Sequence, residues 1–147
     1  MKRWKLYFDG SCLPRNPGGH ACYGYCLFSP DGKLFREDNG LVCSGEGATN
    51  NVAEFHALLA GVRFLYDEKM VIPLLCLGDS QLVVNMVSGK WKGKKPHLIE
   101  LNSKCKGFLD TVSDDWLIEW IPREQNSHAD RLSTSVPNLP RLQHKRK

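Results

Sequence analysis

The chain of 147 residues has the length of one ordinary domain, and its hydrophobic content of 41% is sufficient for a packed core. Its net charge of +4 equals the charge of four basic residues in the last seven positions, so residues 1–140 are neutral overall. No apolar run approaches the roughly 20 residues of a membrane span, and the first residues lack the apolar stretch of a signal peptide. We therefore expect a cytoplasmic protein without a membrane partner, whose local basic patches suit a polyanion held at defined places.

Six cysteines occur at positions 12, 22, 26, 43, 76 and 105, mostly within predicted strands. No two of them have the Cys-x-x-Cys spacing that is typical of a metal or redox site. We expect small buried thiols rather than disulfides or a zinc site.

The first third of the chain is predicted to form three antiparallel strands. The first strand alternates in polarity, then turns apolar and ends at Asp9. Asn-Pro-Gly-Gly at 16–19 is a turn, and Ser-Pro-Asp-Gly at 29–32 predicts the hairpin between the second and third strands. The predicted strands cover residues 4–8, 20–28 and 33–43.

Beyond these strands the apolar residues recur at helical spacing, interrupted by short apolar runs. Thr49 is predicted to cap a first helix whose apolar positions extend to Tyr66, and Ser80 to cap a second helix that Gly89 ends. The remaining predicted elements are a buried strand at 72–77, a helix at 98–109, a strand at 116–121 and a last helix at 128–133. The order β-β-β-α-β-α-α-β-α predicts an α/β fold with a mixed five-stranded sheet and helices on both faces.

Four acidic residues, far apart in the sequence, stand at the ends or starts of predicted elements. Asp9 and Asp79 each end an apolar strand, and Glu54 and Asp130 lie near the starts of helices. The two strands can be neighbours in a mixed sheet, which would bring the aspartates side by side. Converging carboxylates stay ionised only with cations between them, and oxygen-only ligands select Mg²⁺ or Mn²⁺ over zinc. Each acid alone could equally be a turn or cap residue, but the set predicts a two-ion site for phosphoryl displacement.

Short motifs around these acids resemble those of one enzyme family. They are Asp-Gly-Ser-Cys at 9–12, Asn-Pro-Gly-Gly at 16–19, Thr-Asn-Asn-Val-Ala-Glu at 49–54, Gly-Asp-Ser-Gln at 78–81 and Trp-Ile-Pro-Arg-Glu-Gln-Asn-Ser-His-Ala-Asp-Arg-Leu-Ser at 120–133. In this order, over roughly residues 3–135, they resemble type 1 ribonuclease H. The resemblance implies the ribonuclease H fold and Mg²⁺-dependent endonucleolytic cutting of the RNA strand of an RNA/DNA hybrid, leaving 5′-phosphate and 3′-hydroxyl ends. It also implies that the catalytic, metal-binding acids are Asp9, Glu54, Asp79 and Asp130.

The same resemblance suggests residues that contact the substrate. Asn16, Asn51 and Gln81 fall where family members touch the minor groove of the hybrid, where the 2′-OH distinguishes RNA from DNA. Thr49 and Asn51 resemble a pocket that grips a phosphate of the DNA strand. Helix capping for Thr49 and turn formation for Asn16 are the structural alternatives.

The segment between the second and third helices departs from the family pattern. Many bacterial members insert a basic helix, the handle, and the segment 88–97 is too short for it. Trp91, with lysines at 90, 92, 94 and 95, is a candidate substitute, its indole against a deoxyribose and Lys92 and Lys94 on phosphates. The alternative for Trp91 is a packing residue between helices.

The loop before the last acid also departs from the family. Many members carry a histidine there that helps product leave, and residues 122–125 contain none. Glu124 is a candidate auxiliary metal or water contact. His128, two residues before Asp130, is a weaker candidate because on a helix its side chain would point elsewhere.

We expect residues 1–136 to form the catalytic domain and residues 137–147 a flexible basic tail. We expect no separate hybrid-binding domain before the catalytic core, so affinity is expected to come from the domain and its tail. A monomer is expected because no exposed apolar stripe is evident. The alternative functions are a nuclease of the same fold that acts on RNA/RNA or DNA duplexes, and a hybrid-binding module without catalysis.

Overall fold

The computed structural model describes residues 2–143, and the last four residues of the predicted basic tail lie outside them. Within the described chain the elements follow the predicted order, with one added turn of 3-10 helix at Arg123–Gln125. The strands are β1 (Trp4–Leu13), β2 (His20–Phe28), β3 (Leu34–Ser44), β4 (Leu74–Gly78) and β5 (Trp116–Trp120). The helices are α1 (Asn50–Asp67), α2 (Gln81–Val87), α3 (Pro96–Val112) and α4 (Ser127–Ser133).

The five strands form one mixed sheet in the order β3-β2-β1-β4-β5. β1, β2 and β3 pair antiparallel, while β4 pairs parallel with β1 on one side and with β5 on the other. β1 and β4 are thus neighbours, as the predicted proximity of Asp9 and Asp79 requires.

Asp9 does not end β1, contrary to the prediction, because the strand continues to Leu13. Its antiparallel pairing with β2 extends from Lys5 to Leu13 and keeps the backbone extended beyond the apolar run. The parallel pairing with β4, however, ends at Tyr7 opposite Leu77. Asp9 therefore lies just past the point where β1 loses its neighbour on that side.

Side-chain caps fix the starts of the first two helices as predicted. The Thr49 hydroxyl accepts a hydrogen bond from the Val52 amide at 3.1 Å, and the Ser80 hydroxyl accepts one from the Val83 amide at 3.3 Å. α3 begins at Pro96, two residues before the predicted start, because proline fits the first turn of a helix.

Helices cover both faces of the sheet. On one face α1 packs on β1 and β2, where a Cβ on Gly61 would meet the Leu6 side chain at 2.8 Å. On the other face α4 crosses β2, where a Cβ on Gly24 would lie 2.6 Å from the Ala129 carbonyl. The main core lies between α1 and the sheet and is closed by α2 and α3.

All six cysteines lie within the described residues as free thiols; five are buried, as expected, and Cys43 is half-buried. Among the helices of residues 2–143, none is long and apolar enough to cross a membrane.

Candidate metal centre and binding groove

Three carboxylates from three different elements meet at one point of the structure. One oxygen of each of Asp9, Glu54 and Asp79 lies within 4.8 Å of the others. Asp9 and Glu54 are buried, with 4% and 8% of their surface exposed, and Asp79 is half-buried. Acids crowded and shielded in this way need a cation or shared protons between them.

Backbone packing explains why these three acids converge. Asp79 directly follows β4, next to the unpaired side of β1 that carries Asp9. A Cβ on Gly10 would lie 2.3 Å from the backbone nitrogen of Glu54, so glycine lets the first turns of α1 rest directly on β1. This close approach brings Glu54 beside Asp9.

Burial and mutual repulsion disfavour the ionised forms of the acids. Burial, together with the nearby charges of Asp79 and Asp130, raises the pKa of Asp9 to about 7. Burial and the neighbouring Asp9 raise the pKa of Glu54 well above its ordinary value. Burial also raises the pKa of Asp79, although the Arg123 guanidinium opposes this shift.

The donor set fits a hard divalent cation. Glu54 Oε2 is buried and has no hydrogen-bond partner, so a carboxylate lone pair is left for another ligand. All three groups offer oxygen atoms, which suit Mg²⁺ or Mn²⁺ rather than a metal that prefers sulfur or nitrogen. Residues 9, 54 and 79 would therefore hold the ion.

Asp130 is not a member of this set of three, although it lies close enough to Asp9 to raise the pKa of that carboxyl. It lies in the first turns of α4, lines the same groove and keeps a third of its side chain exposed. Its Oδ1 lies 3.9 Å from a terminal nitrogen of Arg123. The structure thus brings three of the four predicted acids together and places the fourth at their margin.

The acids lie in an open groove of about 670 Å³. Its walls are the loop after β1, the start of α1 and the end of β5 with the turn that follows. Of the predicted substrate contacts, Asn16 and Asn51 line this groove. The Asn16 side-chain oxygen also accepts a hydrogen bond from the Asn50 amide at 3.1 Å, which ties the β1–β2 loop to α1.

Thr49 and Gln81 are not among the residues that line the groove. The Thr49 hydroxyl is engaged in capping α1, as the structural alternative had it, and the residue is half-buried. Gln81 is exposed at the first position of α2, one residue beyond Ser80, which does line the groove.

The lysine-rich segment between α2 and α3 also lies outside the groove lining. Trp91 is 47% exposed, and its amide donates to the Asn85 carbonyl at 3.0 Å. Gly93 packs on the Met86 side chain, while Lys92 and Lys94 are exposed. The segment is anchored by its backbone and presents an indole and lysines to solvent, so Trp91 is not a buried packing residue.

Neither auxiliary candidate lines the groove that holds Asp9, Glu54, Asp79 and Asp130. Glu124 is exposed in the 3-10 turn and does not line the groove. His128 faces the opposite side of α4, where its Nε2 lies 2.5 Å from a Glu37 oxygen and its ring meets Phe28 edge-on. The His128 side chain thus points away from Asp130, as expected from its position on the helix.

Sequence reasoning gave no role to three residues that support the site. Asn126 is buried, and its Nδ2 donates to the Phe8 carbonyl, next to Asp9, at 2.9 Å. Trp120 donates from its indole to the Asp79 carbonyl at 3.1 Å, and Arg123 lies beside Asp130. All three belong to the motif at 120–133, but the bonds of Asn126 and Trp120 reach β1 and the end of β4, and local sequence does not reveal such contacts.

The chain resembles ribonucleases H in sequence. A family model described as "Reverse transcriptase-like" matches residues 15–136. Ribonuclease HI of Halobacterium salinarum is 35% identical in an alignment of 138 positions that covers 91% of this chain and 64% of that protein. A bifunctional protein of Mycobacterium tuberculosis is 39% identical in an alignment of 135 positions that covers 90% of this chain and 35% of that protein. The chain thus spans less than two thirds of the length of either relative.

Solved structures match the fold over nearly the whole chain. Ribonuclease H1 of Halobacterium salinarum superposes with a TM-score of 0.78 at 35% identity, covering 88% of this chain and 93% of that one. LC11 ribonuclease H1, solved in complex with an RNA/DNA hybrid, gives a TM-score of 0.81 at 28% identity and covers 91% and 96%.

Proposed function

The chain belongs to the type 1 ribonuclease H family, and on that premise we propose that it cuts the RNA strand of RNA/DNA hybrids. The single observation that carries the proposal is the meeting of Asp9, Glu54 and Asp79 within 4.8 Å in an open groove. LC11 ribonuclease H1, which shares the fold, is described in complex with such a hybrid.

The reaction is hydrolysis of an internal phosphodiester bond. Water adds to the phosphorus while the bond from phosphorus to the 3′ oxygen breaks, and the departing oxygen takes up a proton. One fragment therefore ends in a 3′-hydroxyl and the other begins with a 5′-phosphate.

We assign the divalent metal dependence of the family to the carboxylate set, with two Mg²⁺ ions as its occupants and Mn²⁺ as a possible substitute. Asp9, Glu54 and Asp79 would bind, and Asp130 would complete the site from α4. When bound there, such ions supply the charge that activates water and stabilises the departing oxygen.

The chain's own groups hold this arrangement in place. Asn126 and Trp120 fix the backbone on either side of the acids through their bonds to Phe8 and Asp79. The groove is open and is lined by polar and charged side chains from several elements.

Several substrate contacts belong to the proposal. Asn16 and Asn51 would contact the hybrid inside the groove. We also propose substrate contacts by five residues that do not line the groove: Thr49, Gln81, Trp91, Lys92 and Lys94. Residues 1–136 would suffice for catalysis, with residues 137–147 adding affinity for the duplex.

The proposal is tested by incubating the protein with end-labelled RNA/DNA, RNA/RNA and DNA/DNA duplexes in Mg²⁺, Mn²⁺ or EDTA. We expect internal cuts in the RNA strand of the hybrid alone, and none in EDTA. Cutting of an RNA/RNA or DNA/DNA duplex instead of the hybrid would overturn the substrate assignment. Binding of the hybrid without cutting in either metal would indicate a non-catalytic binding module.

A further inference from the structure

Arg15 lies in the loop between β1 and β2, on the wall of the groove that holds the acids. Its side chain is exposed, whereas its backbone is fixed. The Arg15 carbonyl accepts hydrogen bonds from the Gly19 amide at 2.9 Å and from the Cys12 thiol at 3.2 Å. A Cβ on Gly19 would lie 2.4 Å from this carbonyl oxygen, so the loop closes in this way only with glycine there.

The loop is also anchored to the elements around it. The Gly18 amide donates to the Ala48 carbonyl at 2.9 Å, and the Gly45 amide donates to the Gly19 carbonyl at 3.0 Å. The Asn16 side chain adds its bond to the start of α1. Arg15 therefore extends from a base that is fixed relative to the acids, and little backbone entropy is lost when its guanidinium binds a ligand.

The charges in the groove leave Arg15 available. The acids that line the groove are Asp9, Glu54, Asp79 and Asp130. Its cationic lining residues are Arg15 and Arg123, and Arg123 lies 3.9 Å from Asp130. None of the ion pairs found among residues 2–143 includes Arg15. Its charge is the one in the lining that no carboxylate neutralises.

We propose that Arg15 binds a backbone phosphate of the hybrid and fixes the position of the duplex in the groove. A guanidinium presents parallel N–H donors that match two phosphate oxygens, and such charge-assisted pairs are among the strongest hydrogen bonds in proteins. Contacts of this kind position a nucleic acid without reading its sequence. Arg15 is thus a substrate-binding residue and not a catalytic one, and the inference rests on the proposed function.

The test compares the steady-state kinetics of hybrid cleavage by the wild type and by Arg15→Gln. We expect KM to rise about tenfold with kcat unchanged, because a charge-assisted contact to the bound duplex is lost. The slope of log kcat/KM against log salt should become shallower by about 0.9, the contribution of one neutralised phosphate in duplex DNA. Arg15→Lys should keep the salt slope but raise KM, because lysine keeps the charge and lacks the fork.

Arg63→Gln is the matched control. Arg63 is an exposed arginine on α1 that lies 4.0 Å from Asp67 and does not line the groove. The control removes the same charge from the protein without touching the groove, so its KM and salt slope should equal those of the wild type. Equal thermal unfolding of both variants establishes that the loop around Arg15 remains folded.

A second measurement locates the phosphate. Hybrids are made with one neutral methylphosphonate at each position in turn, on either strand. One position should raise the KM of the wild type about tenfold and leave the KM of Arg15→Gln unchanged, because the two changes remove the same contact.

An Arg15→Gln variant whose KM equals that of Arg63→Gln overturns this inference alone. The inference is also overturned if, at every position, the methylphosphonate raises the KM of Arg15→Gln by the same factor as it raises the KM of the wild type. A wild type that cuts no hybrid overturns the proposed function as well.

Discussion

Glu54 carries the clearest residue-level sign that a cation belongs among the acids. Its carboxylate is buried beside Asp9, and its Oε2 finds no hydrogen-bond partner within the described structure. Native proteins rarely leave such an atom unpaired unless a ligand or ion completes it. Burial and the neighbouring Asp9 raise the pKa of Glu54, so a cation would favour the ionised form of this carboxyl.

Glu54→Gln should stabilise the metal-free protein and remove its response to metal. In EDTA at pH 8 we expect a free energy of unfolding higher by about 1–2 kcal/mol, because an amide replaces a carboxylate that is costly to ionise. Adding Mg²⁺ should raise the melting temperature of the wild type but leave that of the variant nearly unchanged. A variant that gains as much from Mg²⁺ as the wild type does would remove Glu54 from the ion site.

Asn126 positions two of the acids and is not one of the proposed substrate contacts. Its side chain bonds to the Phe8 carbonyl, and its own carbonyl accepts from the Asp130 amide at 3.0 Å. Asn126→Ala should lower kcat at least tenfold with little change in KM, and it should cost about 1–3 kcal/mol of stability.

Asn39→Ala serves as the control for Asn126→Ala, because the side-chain Nδ2 of Asn39 also donates to a backbone carbonyl, that of Leu132, at 2.7 Å. It should lose comparable stability and keep kcat. If both variants lose kcat equally, the loss reflects loosening of α4 as a whole and not the position of Asp9.

At the scale of elements, the contact of α1 with β1 builds the site. Gly10→Ala would place a Cβ 2.3 Å from the backbone of Glu54 and force the helix away from the strand. We expect a loss of about 3 kcal/mol or more and loss of Mg²⁺ binding, measured by urea unfolding and calorimetric titration.

Gly107→Ala is the matched control for Gly10→Ala, because a Cβ at Gly107 in α3 meets no atom within 4 Å. This substitution should leave metal binding intact and raise stability by up to about 1 kcal/mol through helix propensity. Normal Mg²⁺ affinity in Gly10→Ala would contradict the role given to this contact.

Helices with local sequence signals could be predicted. Strand ends that depend on pairing with a neighbouring strand differ from the prediction. Apolar periodicity and capping by Thr49 and Ser80 predicted α1 and α2, because both signals act within a few residues. β1 was predicted to end at Asp9, yet pairing with β2 continues it to Leu13. A strand's length depends on its neighbour, which the sequence of the strand alone does not contain.

Those site residues could be predicted whose role is indicated by the short motif in which they lie. The motifs predicted Asp9, Glu54 and Asp79, and the sheet order brings their elements together. The supporting bonds of Asn126 and Trp120 join residues 118 and 41 positions apart, so no local pattern indicates them.

For the molecule as a whole, the crowded acids make stability depend on pH. Asp9 has a pKa of about 7 in the folded protein against 3.8 ordinarily, so between these values the folded state binds more protons than the unfolded chain. The stability that this group contributes is therefore fully present below about pH 4 and is lost as the pH rises through about 7.

The comparison of the wild type with Asp9→Asn isolates this effect from the other titrating groups. In EDTA the two proteins should be similarly stable near pH 4, and the variant should become progressively more stable than the wild type toward pH 8, as measured by urea unfolding. A difference that is constant with pH, or that changes in the opposite direction, would refute the assignment of a raised pKa to Asp9.

We propose that the acid cluster is the metal centre of a hybrid-cutting ribonuclease. This assignment is tested most directly by the initial rate of RNA-strand cleavage in an end-labelled RNA/DNA hybrid, for the wild type and Asp79→Asn side by side in Mg²⁺. Asp79 directly follows β4 and is half-buried, so the substitution should leave the fold intact, which thermal unfolding checks. We expect the wild type to cut only with metal and the variant to be at least about 1,000-fold slower, the loss typical of removing one essential catalytic group. A folded Asp79→Asn protein that cuts at nearly the wild-type rate would contradict the account.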